Sequence, residues 1–338
     1  MGSNAQPGYL QGIKIGRTHF ERLPVILAPM EDITDPPFRK ICKEMGADWV
    51  YTEFISADGL IRDAAKSLHK LDIYPGERPV SIQIFGANID AMVGAAEVAA
   101  SALPDFVDIN FGCPVRKVAS KGAGSGIMND VPKMVEMCRR IVRAIDIPVT
   151  VKTRLGYDQQ NQDIVDIAER LQDCGIAALA IHGRTRCQMY RGTADWTLIG
   201  EVKNNPRMHI PIIGNGDIVD GPCAREAFEN HGVDGVMIGR ASTGNPWVFR
   251  EVRHYLNTGE TLPPPSLKER IDTCKRHIRL SVEWKGERTA IFEMRKHYGA
   301  YFKAIPNVKP YRMRLVTAGS IEELMPVLDE IAEAFDGH

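Results

Sequence analysis

A (β/α)8 barrel followed by an all-helical C-terminal domain is the α/β fold class that the sequence predicts. Three observations predict it. Short apolar runs recur eight times over residues 10–250, each followed by a stretch with helical spacing, close to the ~250 residues usual for such a barrel. Several of these runs are continuous rather than alternating, as parallel strands covered on both faces require. After Arg250 the rhythm stops, and the stiff segment Thr261-Leu-Pro-Pro-Pro265 leads into helical patterns only. A doubly wound open sheet is the alternative. Eight regular units are long for one, and no G-x-G-x-x-G turn opens the first helix.

The expected strands, in order, are Val25–Ala28, Trp49–Thr52, Val80–Phe85, Phe106–Asn110, Val149–Lys152, Ala177–His182, Ile210–Gly214 and Gly235–Gly239. Between them, Asn88–Ala102 is an alanine-rich helix, and Pro132 suits the first turn of a helix over Pro132–Ala144. Asp163–Cys174 places Ile164, Ile167, Ala168 and Leu171 on one helical face. In the tail, Ser266-x-x-Glu269 and Ser320-x-x-Glu323 read as capping boxes before apolar periodicity. The expected domains are therefore residues 10–250 and 251–338. Met1-Gly-Ser-Asn-Ala5 reads as an expression remnant and is no part of the expected fold.

Composition narrows the function. Hydrophobic content of 44% and charged content of 25% are those of an ordinary globular enzyme. A net charge of −1 gives no global field for a polyanion. Seven cysteines without a CxxC pair argue against a disulfide framework and a structural zinc site, so no metal is expected. No apolar run approaches the ~20 residues of a membrane span, and no signal peptide is visible. A cytoplasmic monomer is the expectation.

In a (β/α)8 barrel the chemistry lies at the carboxyl ends of the strands. The expected strands end there in Glu53, Asn110 with Cys113, Lys152 with Arg154, His182 with Arg184, Asn215-Gly-Asp217 and Gly239-Arg240, while Gln83 lies within the third. So many polar groups on one rim are hard to explain as satisfied core residues. Cys113, on a loop after a strand, is placed for display as a reactive thiol; the alternative is an inert buried cysteine, and from this segment alone the two readings stand level. Asn215-Gly-Asp217 and Gly239-Arg240 follow strands 7 and 8, the usual phosphate position of this fold. There glycine admits a close anion and Arg240 can pair with it. Gln83 can meet an imide edge, Lys152 can stabilise negative charge on a reduced ring, and His182 adds a donor. A ring with these properties and a phosphate tail describes FMN.

The motifs Ala28-Pro-Met-Glu-Asp-Ile-Thr-Asp35, Gln83-Ile-Phe-Gly86, Asn110-Phe-Gly-Cys-Pro114, Lys121-Gly-Ala-Gly124, Lys152-Thr-Arg-Leu-Gly156, His182-Gly-Arg-Thr185, Asn215-Gly-Asp217 and Gly239-Arg240 occur in this order. With them the chain resembles the tRNA-dihydrouridine synthases, flavoenzymes that reduce uridine in tRNA. The resemblance runs from about residue 10 to the end and is nearest the bacterial B-type subfamily. Glu31-Asp32 departs from the small residues that relatives often carry there.

The resemblance implies that Ala28, Pro29 and Met30 line the flavin and that Gln83, Lys152 and His182 touch its ring. Asn215, Gly216, Asp217, Gly239 and Arg240 would hold its phosphate. It implies NADPH as electron donor, hydride transfer to C6 of uracil and a proton from Cys113 to C5. An acid at neutral pH must keep its proton, so the Arg116, Lys117 and Lys121 loop should not depress the thiol strongly. Asn110, Arg154 and Arg184 are candidate substrate contacts. No separate dinucleotide fold is visible, so nicotinamide and uracil would use one flavin face in turn.

The tail offers a footprint for tRNA. From Lys275 to Arg314 eleven Lys and Arg stand against three Glu. Arg295 and Lys296 are the candidate RNA contacts within it. Trp284, Phe292, Tyr298, Tyr301, Phe302 and Tyr311 interleave with these charges. They either stack unpaired bases or form the tail's own core, and the core is the favoured reading. Two rivals remain: a small-molecule flavin barrel of the dihydroorotate dehydrogenase or ene-reductase kind, and an RNA-binding module on an inactive barrel.

Overall fold

The computed structural model describes residues 8–335, so the Met1–Ala5 stretch lies outside the described residues. A short hairpin, β1 (Ile13–Ile15) and β2 (Thr18–Phe20), precedes eight parallel strands. These are β3 (Val25–Leu27), β4 (Val50–Ser56), β5 (Val80–Phe85), β6 (Phe106–Asn110), β7 (Val149–Arg154), β8 (Ala178–His182), β9 (Ile212–Asn215) and β10 (Gly235–Ile238). Each pairs with its neighbour in sequence, and β10 returns to β3. Between β3 and β4 the barrel closes through Leu27 N–H to the Trp49 carbonyl at 2.9 Å and a parallel bridge at Ile26. The predicted (β/α)8 class is therefore the observed one.

Seven expected strands match to within two residues at each end. The second does not: β4 runs on to Ser56, past the expected end at Thr52. Its ladder with β5 shifts register between Tyr51 and Phe54. Thr52 and Glu53 fall in that irregularity, so Glu53 marks a bulge inside the strand rather than its end.

The helices form as their end signals predict. Asp35 accepts the Phe38 N–H at 2.9 Å and starts Pro36–Glu44 with proline in the first turn. Asn88 caps Ile89–Ser101, and Asp130 caps Val131–Ala144. Ser266 and Ser320 both cap, accepting from Glu269 N–H at 3.2 Å and Glu323 N–H at 3.3 Å. Neither box closes reciprocally. Glu269 instead accepts from Trp247 and Arg250, and Glu323 reaches back to Gly319 N–H at 2.8 Å.

Hydrophobic burial separates two bodies of side chains. Val248, Phe249, Val252 and Leu256 on the helix Val248–Thr258 pack into the barrel's core. Four helices follow Pro265: Leu267–Lys285, Glu287–Tyr301, Lys309–Thr317 and Ile321–Ala334. They share a second core with Trp247. Tyr298, Tyr301 and Phe302 are buried in it, which settles their role as packing.

The floor of the barrel is aromatic. Phe20 from the hairpin, Trp49 and Phe106 pack in tilted ring contacts with centroid distances of 5.7 and 4.5 Å. Trp49 Nε1 donates to Ser81 Oγ at 2.8 Å, so the indole is satisfied where it is buried. Gly16 turns the hairpin at φ +57°, with Pro148 only 2.7 Å from where a Cβ would stand. No helix among the described residues is long and apolar enough to cross a membrane.

Candidate active site

The opposite end of the barrel is open. Its strand ends enclose a cavity of about 630 Å³. Of the residues expected there, Ala28, Pro29, Met30, Asn110, Cys113, Lys152, Arg154, His182, Asn215, Gly216, Asp217, Gly239 and Arg240 all line it.

The thiol is held by its own turn. Asn110, the last residue of β6, accepts the backbone N–H groups of Gly112 and Cys113 at 2.9 and 2.8 Å. The Cys113 carbonyl in turn accepts from Ser125 N–H at 3.1 Å and Ser125 Oγ at 2.8 Å, so the glycine-rich loop wraps the turn. Gly124 is required there: at φ +53°, a Cβ would lie 2.9 Å from the Cys113 carbonyl oxygen. Cys113 is only 7% exposed, so the thiol expected to be displayed is instead buried, at the wall of the cavity, because the Asn110 turn and the glycine-rich loop close around it. Burial pushes its thiol pKa up, against smaller lowering effects from the Val115 N–H, Arg154 and Lys152. Arg116, Lys117 and Lys121 are solvent-exposed. The thiol is thus protonated at neutral pH.

Lys152 emerges from β7 onto the same wall. Its Nζ donates to Asn215 Oδ1 at 3.0 Å, and Asn215 Nδ2 donates to the Met237 carbonyl at 2.8 Å. Burial, then the charge of Arg154, lowers the ammonium to about 8. Burial also lowers His182 well below its usual value, with Arg154, Lys152, Arg184 and Arg240 acting in the same direction. His182 is therefore neutral at physiological pH, with a ring N–H to donate.

Two expected contacts are not brought to the cavity wall. Gln83 is fully buried beneath it, and both ends of its amide are used. It accepts from Asn110 Nδ2 at 2.8 Å and donates to Asp108 at 2.7 Å. Asp108 also accepts from Thr150 at 2.5 Å, and burial raises its carboxyl to about 6. Gln83 therefore reaches the site through Asn110. Arg184 is buried as well. It forks onto both oxygens of Asp217 at 2.9 and 2.7 Å and donates to the Arg191 and Gly192 carbonyls. Its work is to pin the loop after β8.

Asp217 has a role that its motif does not reveal. A carboxylate repels a phosphate, yet Asp217 lies in the phosphate motif. It accepts from Arg184, from Ala194 N–H at 2.8 Å and from Arg240 at 3.1 Å. It holds the Arg240 guanidinium in place at the cavity wall.

The sequence did not reveal Tyr190, Phe54 or Val219, which also line the cavity. Tyr190 stands half-exposed between two cations, Arg154 at 5.7 Å and Arg240 at 5.0 Å from its ring. It belongs to a loop without periodicity, and nothing in the sequence marked it. Glu31 is on the wall too. It pairs with Lys70 at 2.8 Å, and Lys70 also reaches Glu53 at 3.1 Å.

Arg295 and Lys296 lie outside the cavity, on Glu287–Tyr301. Lys296 donates to Asp32 at 2.8 Å. Ion pairs also occupy Lys275 with Asp329, Arg276 with Glu44, Lys285 with Asp35 and Glu293, and Arg314 with Glu330. Arg279, Arg288, Arg295, Lys303, Lys309 and Arg312 form no ion pair with a carboxylate among the described residues. Among the described residues, six of the eleven cations of the basic run thus lack a carboxylate partner. Phe292, 63% exposed, lies under the Arg295 guanidinium at 5.3 Å.

Fold and site together define a TIM-barrel enzyme whose chemistry is gathered at the carboxyl rim. Solved structures share the architecture. A variant of NCR from Zymomonas mobilis superposes with TM-score 0.55 and 15% identity, covering 78% of this chain and 95% of that one. Histamine dehydrogenase from Rhizobium sp. 4-9 gives TM-score 0.55 and 11% identity, covering 81% of this chain and 51% of that one. The family model for dihydrouridine synthase (Dus) matches residues 26–335. tRNA-dihydrouridine synthase B of Xanthomonas campestris pv. campestris is 42% identical over 85% of this chain and 86% of its own length. That of Pseudomonas putida is 39% identical over 90% of each. The chain belongs to the dihydrouridine synthase family of enzymes.

Proposed function

We propose that this enzyme reduces specific uridines of tRNA to 5,6-dihydrouridine, with FMN as cofactor and NADPH as electron donor. The observation that carries this reading is the placing of the Cys113 thiol, the Lys152 ammonium and the Arg240 guanidinium on one cavity. Family membership supplies the reaction.

The residues fit the cofactor. Ala28, Met30 and Met237 offer an apolar wall to a ring, Lys152 offers it a cation, and Arg240 waits for a phosphate at the usual place after β10. Bound there, the flavin would supply the hydride for C6 of uracil, with NADPH as the source of its electrons. Cys113 gives its proton to C5, so hydride and proton together saturate the C5–C6 bond. The thiol is suited to this because burial keeps it protonated. Asn110 fixes the thiol's direction, and Arg154 holds the Gly112 carbonyl at 2.7 Å from the other side.

The target base must leave its stack to enter, at a cost of a few kcal/mol, least for a loop nucleotide. Phosphate contacts from Arg279, Arg288, Arg295 and Lys303 would hold the rest of the RNA.

An absorbance spectrum of the purified protein tests the reading. Flavin bands should bleach with NADPH under anaerobic conditions and return on adding unmodified tRNA. Bands that bleach but ignore tRNA would favour a small-molecule substrate. No flavin after reconstitution with FMN would overturn the enzymatic reading.

A further inference from the structure

The helix Glu287–Tyr301 touches two of the loops that flank the cavity, and it does so with adjacent residues. Lys296 pairs with Asp32 on the loop after β3, whose Met30 and Glu31 line the cavity. His297 meets the loop after β10. Its Nδ1 accepts the Gly244 N–H at 3.0 Å.

That second loop is a compact piece. Ser242 N–H and Oγ both donate to the Gly239 carbonyl, at 2.9 and 2.8 Å. Thr243 N–H donates to Arg240, and Asn245 closes on Ser242 and Ala241. A pull at Gly244 is therefore felt at Arg240. The approach at Gly244 is as close as a glycine permits. It lies at φ +66°, and an added Cβ would fall 2.2 Å from the His297 carbonyl oxygen.

His297 is itself immobilised. It is buried among Phe38 from the barrel at 5.0 Å, His277 at 4.7 Å and Tyr301 at 6.4 Å between ring centroids. Accepting a hydrogen bond requires a bare Nδ1, hence a neutral ring. Burial, with His277 beside it, lowers the pKa of His297 well below the usual value and keeps it neutral.

We infer that His297 is a positioning residue for the cofactor's phosphate: it fixes the Gly239–Gly244 loop, and with it Arg240, from the helical body. The inference rests on the FMN reading given above. It places a determinant of cofactor affinity in the helices that carry the RNA-binding cations, outside the cavity itself.

The test compares FMN with riboflavin, which has the same ring and no phosphate. Binding of each to cofactor-stripped protein is followed by quenching of flavin fluorescence. His297→Leu removes the acceptor but keeps the volume, and FMN affinity should fall about tenfold, the scale of one hydrogen bond. Riboflavin affinity should be unchanged. His297→Asn, whose amide oxygen can stand in for Nδ1, should restore FMN binding. Equal FMN affinity in His297→Leu would overturn the inference, as would an equal loss for both flavins, which marks a general packing defect. Should His297→Leu fail to fold, Gly244→Ala pushes the same loop off the same helix and must show the same FMN-selective loss. Wild-type protein that binds riboflavin and FMN equally would sink this inference but spare the flavin reading. Wild-type protein that binds neither would sink both.

Discussion

The side-chain oxygen of Asn110 lies 2.8 Å from the backbone nitrogen of Cys113 and accepts its N–H hydrogen bond. The amide nitrogen of Asn110 points the other way, to Gln83, and Gln83 to Asp108. The thiol is thus aimed by a chain of amides that ends on a carboxylate deep in the barrel.

Cys113→Ala should keep the fold and the flavin and lose roughly 10²- to 10⁴-fold in uridine reduction, the usual worth of a positioned acid. Reduction of the bound flavin by NADPH should be unaltered. Single-turnover assays of each half-reaction measure the two separately, and full uridine turnover in the variant would remove Cys113 as the acid.

Lys152 sets a pH dependence. Its folded value is about 8, so it is charged below that pH and neutral above it. A contact that needs the ammonium is present at neutral pH and weakens as pH rises through about 8. FMN affinity should therefore fall on the alkaline side. In Lys152→Met affinity should be weak throughout and flat across the same window. Constant wild-type affinity there would dismiss Lys152 as the cation that faces the ring.

Free and paired cations on the helical body should behave differently toward tRNA. Arg295→Gln should weaken binding and reduce the salt slope by about one. Lys275→Gln removes a cation already paired with Asp329 and should change affinity little. Filter-binding titrations at several salt concentrations decide this. Equal losses from both would mean that RNA displaces the existing ion pairs.

Arg39 and Glu77 form a fully buried pair, with Arg39 also donating to the Thr34 and Asp72 carbonyls at 3.0 and 2.7 Å. Glu77→Ala strands a buried guanidinium and should cost about 3–5 kcal/mol in denaturant unfolding. A loss within the ~1 kcal/mol of a surface pair would show that the two carbonyls suffice.

The barrel was legible because its strands are covered on both faces and so appear as apolar runs, and because barrel chemistry gathers where those runs end. Thirteen of the candidate residues meet in the cavity for that reason. Glu53 misled because a bulge carries β4 onward to Ser56, and no composition marks a bulge. Gln83 and Arg184 were read by residue type, and type does not say whether a donor's bonds are already taken by Asp108 or Asp217. The charge excess of Lys275–Arg314 was overread because Glu44, Asp32, Asp35, Asp329 and Glu330 neutralise it from distant parts of the chain. Pairing of that kind is a property of the fold alone.

The aromatic floor of Phe20, Trp49 and Phe106 has a kinetic consequence. The chamber is closed below and open at the rim, so on the proposed function nicotinamide and the flipped base would both enter from the rim, by turns. Each visitor has to leave before the next can enter. A double-displacement rate law follows, with parallel reciprocal plots, and excess of either visitor should obstruct the other.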